Sequence, residues 1–288
     1  MVLCDDIYGF LSGKGLDCRR SNDGGQEVLY TGRSAAIIPI CVDAQSAKEA
    51  SEQAVRLKQS IDMHLIKTGE YPLVITEDRW RSQSPMMQAR LLAHLHIFTQ
   101  IYARNCEVRK IDRQTAAEFL NANHSYGDAR CRYRYGLYLK RHTGHNAGST
   151  EVLEGALVAV ATFSNARKWI KGNKTIRSYE WTRYASLPGV RLSGGMGKLL
   201  NAFIEEVHPD DIMTYADLEW SEGKVYEALG FVLEGVKEPV CFTVDATWRR
   251  FPIKAGMTEA DIIAGLTGNM FVQNLGSNKY RLKLTDYQ

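Results

Sequence analysis

The chain has 288 residues and a net charge of +3, and hydrophobic and charged residues make up 44% and 24% of it. These fractions are those of a globular protein, in one large domain or two ordinary ones. No apolar run is long enough to cross a bilayer, and the first residues lack the basic and apolar segments of a secretory signal. We therefore expect a cytoplasmic protein without a membrane partner. The small net charge neither requires nor excludes nucleic acid.

The six cysteines are scattered along the chain and form no CxxC pair. A disulfide framework is not expected in a chain of this length without an export signal. Zinc ligands usually come in close pairs, so no metal site is predicted either.

Helix and strand patterns alternate over the first hundred residues. The longest helix, Ser46–Ile66, has apolar residues at helical spacing and ends before Gly69. One strand, Ala35–Val42, is almost wholly apolar, which predicts burial on both faces. The remaining elements are helices at 7–16 and Ser84–His96, and strands at Val28–Tyr30 and Tyr71–Thr76.

A second series of elements begins after a boundary that we place near Phe98–Ile101. Asp112 is the predicted N-cap of a helix over Arg113–Asn123. The strands predicted around this helix are Ile101–Ile111, Arg132–Lys140, Ala156–Ser164 and Arg177–Leu187, with a Gly- and Ser-rich turn at 142–155.

The last third of the chain continues the alternation. An amphipathic helix is predicted at Gly195–Val207, and a short helix at Gly223–Leu229. A further helix begins near Thr258. The predicted strands are Ile212–Leu218, Phe231–Val236 and Val240–Ala246, followed by a hairpin of Phe271–Gln273 and Tyr280–Leu284.

A glycine-rich loop joins the strand ending near Leu187 to the amphipathic helix. Backbone N–H groups at a helix N-terminus form an anion site, and glycines let a pyrophosphate approach the main chain. The predicted anion-binding residues are Arg191, Gly194, Gly195, Gly197 and Lys198. The loop is not a Walker loop, because no Ser or Thr follows the Gly-Lys pair.

The next elements strengthen this interpretation. Tyr226 stands four residues before the pair Gly230-Phe231, and Arg191 stands three residues before Gly194. These spacings resemble the closing helix and the loop of the GNAT acyltransferases, and the element order resembles that family over about 101–250. The sequence departs from the family's loop at Met196, where Gly or Ala is usual.

The resemblance implies an α/β fold, with a mixed sheet flanked by helices and acetyl-CoA or another acyl-CoA as donor. It implies direct attack of an amine on the thioester, with Glu180 as general base and Tyr226 as the acid that protonates the thiolate. The oxyanion donor would be a backbone N–H beside a strand bulge. His124 is a third catalytic candidate, and the competing interpretation is a helix C-cap residue.

A narrower resemblance is carried by the strings around His124 and from Tyr215 to Gly223. They are similar to phage-encoded GNAT-like proteins whose best-defined relatives are Mom-type DNA-modification proteins. The resemblance adds DNA as a partner class, and it adds the substrate-binding candidates Ser164, Arg183, Asp217, Trp220 and Ser221. Ordinary turn and backbone contacts are the competing interpretation for these residues.

The segments His64–Gly69 and Leu73–Trp80 resemble the end of a Vsr-like nuclease domain of the PD-(D/E)xK class. Such a site holds a divalent metal with two or more carboxylates on adjacent strands. Of the expected positions, Gln26–Leu29 and Ala36–Pro39, only Glu27 is acidic. We therefore expect a nuclease-like region without its site.

These expectations divide the chain into three consecutive segments: an inactive nuclease-like α/β domain at 1–98, a GNAT-like acyltransferase domain at 99–252, and a helix and hairpin extension at 253–288. Three functions stay open at this point. They are N-acyl transfer from acyl-CoA, Mom-type adenine modification without CoA, and non-catalytic DNA binding by a phage or mobile-element protein. The sequence does not indicate the acceptor, the donor or the oligomeric state.

Overall fold

The computed structural model describes residues 2–23, 25–32, 36–141, 151–253, 256–257 and 270–287. The helix predicted from Thr258 and most of the turn predicted at 142–155 lie outside these residues. The chain folds as two compact units. Unit 1 comprises Met1–Leu95, Asp217–Glu222 and Val236–Ser277, and unit 2 comprises His96–Ala216, Gly223–Gly235 and Asn278–Gln288. Of the helices in the described ranges, none combines the length and apolar character that a bilayer crossing requires.

Unit 1 begins with a four-stranded sheet in the order β1-β2-β3-β4. The last two strands are parallel, and the other neighbours are antiparallel. The strands are β1 Cys18–Asp23, β2 Gln26–Thr31, β3 Ala36–Ile40 and β4 Leu73–Thr76. The helices are α1 Val2–Gly13, α2 Ala47–Thr68, α3 Glu77–Ser82 and α4 Ser84–His94.

Local sequence signals account for these elements. Ile37 and Ile38 are both fully buried, so the prediction of a strand covered on both faces is confirmed. Ser46 caps α2 by accepting the Glu49 N–H, and Gly69 ends it with a φ of 72°. Strand β1 was not predicted, because its sequence CRRSND has no apolar alternation.

Unit 2 is built on an eight-stranded sheet, with helices formed by α5 Arg113–Asn123, α6 Gly195–Val207 and α7 Lys224–Ala228. The strands up to α7 are β5 Thr99–Tyr102, β6 Cys106–Lys110, β7 Tyr133–Leu139, β8 Leu157–Phe163, β9 Arg167–Lys171, β10 Lys174–Ser186, β11 Val190–Ser193 and β12 Asp211–Asp217. The predicted strand Ile101–Ile111 is divided, because a 3₁₀ turn at Ala103–Asn105 separates β5 from β6.

The C-terminal strands are β13 Val232–Lys237, β14 Cys241–Val244, β15 Arg250–Pro252, β16 Met270–Gln273 and β17 Ser277–Lys283. The main sheet has the order β13-β17-β12-β10-β8-β7-β6, and β9 pairs with β10 beside this path. A two-stranded sheet joins β11 to β5, and a three-stranded sheet in unit 1 has the order β15-β14-β16.

The predicted C-terminal hairpin is wrong. Strand β16 pairs antiparallel with β14, whereas β17 lies between β13 and β12 in the other unit. The chain therefore passes from one unit to the other several times. The division into two units differs from the three consecutive segments predicted from the sequence. Gly276 predicts a local turn of the chain. A turn signal does not indicate which strands pair with each other.

The core of unit 2 is aromatic and lies between the sheet and α6. Leu199, Leu200 and Phe203 of α6 are buried, as the amphipathic pattern predicts. The rings of Phe163 and Phe203 stack at 3.9 Å between centroids. On the other face, α5 packs Phe119 and Leu120 against Val160 and Ala185. The predicted helix bounds Arg113–Asn123 and the Asp112 cap are confirmed.

Gly223, which precedes α7, offers a test of this packing. Its φ is 86°, and an added Cβ would lie 2.3 Å from the hydroxyl of the buried Tyr280. We expect Gly223→Ala to lower the free energy of unfolding by about 2–4 kcal/mol, through backbone strain and overpacking together. Urea unfolding measures the change.

Gly155→Ala is the control, because its φ is 84° and nothing lies within 4 Å of the added Cβ. The backbone strain alone costs about 1–2 kcal/mol. Equal losses in the two variants would contradict the packing of Tyr280 against Gly223.

Candidate functional site

Strands β10 and β12 are parallel neighbours whose backbone ladder is short. Their pairing runs only from Ser178↔Asp211 to Glu180↔Met213, although β10 continues to Ser186 and β12 to Asp217. Beyond Glu180 in β10 and Met213 in β12, the two strands therefore have main-chain groups that do not take part in this pairing. Unpaired strand edges bind extended ligands through main-chain hydrogen bonds.

A bulge in β10 lies where the ladder with β12 ends. The register of β10 against β8 shifts between Trp181 and Arg183. Trp181 and Tyr184 both pack on the aromatic core, although they are three residues apart, because the bulge inserts one residue into the alternation. The strand bulge expected beside the oxyanion donor is thus present in β10.

Glu180 is the last residue of β10 within the ladder. Its main chain is fixed by Ser164, whose Oγ accepts the Glu180 N–H at 2.9 Å and whose N–H donates to the Glu180 carbonyl at 2.9 Å. Alternation places its half-buried carboxylate on the face opposite Tyr179 and Trp181. Ser164 therefore holds the backbone of Glu180 in position, which is the competing interpretation for this serine.

Tyr226 of α7 packs its ring edge-on against Trp181, with 6.1 Å between centroids. Its hydroxyl is hydrogen-bonded to Thr214, and the Thr214 hydroxyl donates to the Trp181 carbonyl at 3.1 Å. This hydrogen bond lowers the pKa of Tyr226, against the larger effect of burial. Burial raises the pKa of Tyr226, so the phenol stays protonated at neutral pH.

Tyr184 is a site residue that the sequence did not indicate. Its hydroxyl lies 3.3 Å from the position that a Cβ on Gly195 would take, at the start of α6. Burial raises its pKa, and the nearby Tyr226 adds to the shift. Within the described residues this hydroxyl has no hydrogen-bond partner. Strict alternation places Tyr184 on the same face as Glu180, and only the bulge brings it beside Tyr226.

The glycine loop opens α6 as predicted. Gly194 is the N-cap with a φ of 76°, and no side chain caps the helix. An added Cβ on Gly195 would lie 2.5 Å from Leu192, and one on Gly197 would lie 3.2 Å from Leu229. Close packing therefore favours glycine at 195, and the positive φ favours it at 194. Because no side chain caps α6, its first N–H groups can bind an anion.

The two basic residues of the loop are placed differently from each other. Lys198 donates its Nζ to the carbonyl oxygens of Ala103 and Cys106, at 2.9 and 2.5 Å. Its ammonium group thus connects α6 to the 3₁₀ turn at Ala103–Asn105 and is not directed at the N-terminus of the helix. Arg191 is exposed, and its guanidinium lies 5.2 Å from the ring centre of Phe98.

Arg183 and His124 organise the loop after α5. Arg183 donates Nε to the Gly127 carbonyl at 3.0 Å, and His124 accepts the Tyr126 N–H on Nδ1 at 3.1 Å. His124 is also the C-cap residue of α5, which is the competing interpretation for this histidine. Burial lowers the pKa of Arg183, and the charge of Glu180 opposes this shift.

Three predicted substrate residues belong to unit 1, whereas Glu180 and Tyr226 belong to unit 2. Asp217 accepts the Glu219 N–H and pairs with Arg79 at 3.3 Å, and its carbonyl accepts the N–H groups of Trp220 and Ser221. These contacts make Asp217 the centre of a turn, which is the competing interpretation for this residue. The assignment of Asp217, Trp220 and Ser221 to the substrate site stays a prediction.

The same turn joins a buried charge network in unit 1. Glu219 pairs with Arg79 at 3.1 Å and with Arg250 at 2.9 Å. Arg250 also binds Asp78, and this pairing lowers the pKa of Asp78 although burial alone raises it. Trp220 lies beside this network, and the Arg90 guanidinium makes a cation–π contact with its ring, 4.3 Å from the ring centre.

The strands expected to carry nuclease acids are β2 and β3, which are antiparallel neighbours. Four of the five side chains of β3 are buried and apolar, Ala36, Ile37, Ile38 and Pro39. In the described part of the chain, no three His, Cys, Asp or Glu side chains are grouped so that they could hold a metal ion. The nuclease-like relationship stays a prediction.

No protein-family model matches the sequence, and no curated protein is significantly similar to it. Several solved structures are similar at 13% identity. A Bacillus subtilis acetyltransferase in complex with CoA has a TM-score of 0.36, over 63% of this chain and 99% of its own. A putative acetyltransferase from Salmonella typhimurium with acetyl-CoA has 0.36, over 64% and 96%. A GNAT-family acetyltransferase from Bacillus anthracis has 0.33, over 62% and 95%.

The charge network predicts the cost of removing one buried carboxylate. In Glu219→Gln, two buried guanidinium groups lose a shared partner, and we expect a loss of about 3–5 kcal/mol in the free energy of unfolding. Chemical denaturation followed by circular dichroism measures it. Glu52→Gln, an exposed position on α2, should change stability by less than about 0.5 kcal/mol. A Glu219 variant as stable as this control would contradict the network.

Proposed function

We propose that the protein is an N-acyltransferase of the GNAT type, which transfers an acetyl or related acyl group from acyl-CoA to an amine. The observation that carries the proposal is the early end of the β10–β12 ladder, with a bulge on one strand and an uncapped helix N-terminus following it. Together these features suit an anion, an extended arm and a carbonyl group, which are the three parts of an acyl-CoA that a protein must hold.

Each part of the donor has a matching feature in unit 2. The N–H groups at the start of α6 suit a pyrophosphate, whose charge the helix dipole favours. The free edges of β10 and β12 suit the amide-containing arm that leads to the thioester. The bulge at Trp181–Arg183 suits the thioester carbonyl, because a fixed N–H there stabilises the developing oxyanion.

The reaction needs one base and one acid, placed on different sides of the gap between the strands. Glu180 takes the proton from the amine as its nitrogen forms a bond to the acyl carbon. The carbon–sulfur bond breaks, and Tyr226 gives its proton to the leaving thiolate. The raised pKa of Tyr226 keeps that proton available, and the hydrogen bond to Thr214 positions the phenol.

Other residues take supporting roles in this proposal. Ser164 fixes the main chain of Glu180, Lys198 anchors α6, and Arg183 holds the loop at Gly127. Tyr184 adds a second hydroxyl beside Tyr226 and the loop, where it contacts the donor. Met196 packs against the core, so the departure from the family loop leaves the N-terminus of α6 uncovered.

Donor binding is tested by Ser193→Asp. Ser193 is exposed directly before Gly194, and its Oγ accepts from Gln100, as a carboxylate oxygen also would. A carboxylate here stabilises the helix terminus and repels a phosphate. We expect the Kd for acetyl-CoA in calorimetry to rise about 10-fold, which is about 1.4 kcal/mol, with no loss of thermal stability.

Ser193→Asn is the control, since it has the same shape without the charge. Its Kd should stay within about 3-fold of the unsubstituted protein. No acetyl-CoA binding at millimolar concentration by the folded, unsubstituted protein would refute the proposal.

The chemical step is tested by Tyr226→Phe and Glu180→Gln. Each should lower kcat about 100- to 1,000-fold while the Kd for acetyl-CoA changes little, because each removes a proton-transfer group. Thiol release is followed with acetyl-CoA and a panel of peptide amines, polyamines and nucleosides. Tyr280→Phe is the control, since its buried hydroxyl bonds Glu227 and takes no part in proton transfer. Full activity of both active-site variants would exclude this mechanism.

A further inference from the structure

The hairpin formed by β9 and the first part of β10 carries charge of one sign only. We call residues 167–177 the basic ribbon; its sequence, RKWIKGNKTIR, contains no Asp or Glu. Its five cations are Arg167, Lys168, Lys171, Lys174 and Arg177. The cations of the ribbon thus outnumber the net charge of the whole chain, which is only +3.

The basic ribbon is exposed along its length. All five residues of β9 are exposed, and β9 pairs with no strand other than β10 in the described sheet. Ile170 is 83% exposed and Trp169 is 49% exposed. At the base, Ile176 and Ser178 of β10 are buried and anchor the ribbon to unit 2. Exposed large apolar side chains among cations are unusual on a surface that binds only water.

The register places like charges opposite each other. Lys171 pairs with Lys174, and Lys168 pairs with Arg177. These two pairs lie on opposite faces, because their positions in β9 differ by an odd number of residues. Like charges directly opposite each other destabilise a hairpin, so the Lys171–Lys174 pair costs stability unless an external anion neutralises it.

Most of these cations have no partner among the residues that the structure describes. Arg167, Lys168 and Lys171 make no ion pair or side-chain hydrogen bond within the described residues. Lys174 donates to a single carbonyl, that of Asp286, and Arg177 binds Asp210 and the His208 carbonyl at the base. Strand β9 therefore presents uncompensated positive charge on both faces, from Arg167 and Lys171 on one face and from Lys168 on the other.

We propose that the basic ribbon binds duplex DNA by lying in the major groove. Its two strands are about 4.8 Å apart, and a B-form major groove about 12 Å wide admits a two-stranded ribbon. A groove has a phosphate row on each side, which matches cations on both faces of the ribbon. A flat anionic surface would engage one face only, and the major groove of duplex RNA is too narrow for side chains to read.

The apolar residues fit the same geometry. Five residues of strand extend about 17 Å, enough to follow the groove over several base pairs. Trp169 and Ile170 lie between the cations and can contact thymine methyl groups and sugars, which are the apolar parts of a groove. This proposal does not depend on the acyl donor, since the ribbon is distinct from the β10–β12 gap.

The test compares the full chain with the variant that combines Arg167→Gln, Lys168→Gln and Lys171→Gln. Binding to a labelled DNA duplex is measured by fluorescence anisotropy over a range of salt concentrations. We expect the Kd to rise at least about 30-fold, and the slope of log K against log salt to become shallower by about 3, close to 0.9 for each phosphate that is no longer neutralised. Acetyl transfer to a small amine should be unchanged.

The control combines Lys48→Gln, Lys58→Gln and Lys67→Gln, exposed positions on α2 with the same change in net charge. It should keep the affinity and the salt slope of the unsubstituted protein, and both triple variants should keep its melting temperature. An equal loss in the control would mean that net charge alone drives binding, and would overturn the proposal.

Two further ligands separate the groove from other polyanions. Duplex RNA of the same sequence, and DNA whose major groove is filled by bulky groups on cytosine C5, should both bind at least about 10-fold more weakly. Vesicles of equimolar phosphatidylcholine and phosphatidylserine should not compete. Equal affinity for RNA or for the filled groove, or tighter binding to vesicles, would overturn the proposal.

Discussion

The site in unit 2 depends on one constraint, which is that the ladder between β10 and β12 ends at Glu180. The bulge at Trp181–Arg183 changes the alternation of β10 at the same point, so the strand cannot continue in register with both neighbours. Main-chain groups in the middle of the sheet are thereby left out of the pairing between β10 and β12, and Glu180 and Tyr184 are directed to opposite faces. Neither consequence would follow from a sheet with a continuous ladder.

The buried charges of unit 1 place the turn after β12. Glu219 binds two arginines, and Asp217 binds Arg79 and its own turn, so ion pairs hold the chain that leaves β12, together with the apolar packing of Leu218. Ion pairs of this kind specify geometry more than they add stability, because desolvation offsets much of their attraction. They also account for the strong Asp and Trp signals that the sequence shows in this segment.

Several parts of the fold and site were predictable because their signals are local. The cap at Asp112, the glycine before α6, and the spacing of Tyr226 to Gly230 depend on residues within one turn of each other. Strands β1 and β9 were not predictable, since their polar sequences obey no apolar alternation. Tyr184 was missed for a different reason, because a bulge leaves no mark in a sequence that is read with strict period two.

The sequence by itself determined the α/β class and the helix α6 with its glycine loop, and its resemblance to a known family suggested Glu180 and Tyr226 as acid–base candidates. Only the tertiary structure decided that β17 lies between β12 and β13, that Asp217–Glu222 belongs to unit 1, and that Lys198 binds carbonyl oxygens. The physical reason is range. Caps, turns and helical faces are set by neighbours in the chain. Strand order and ion-pair partners depend on groups tens of residues away, and the choice among possible partners is made only when the core packs.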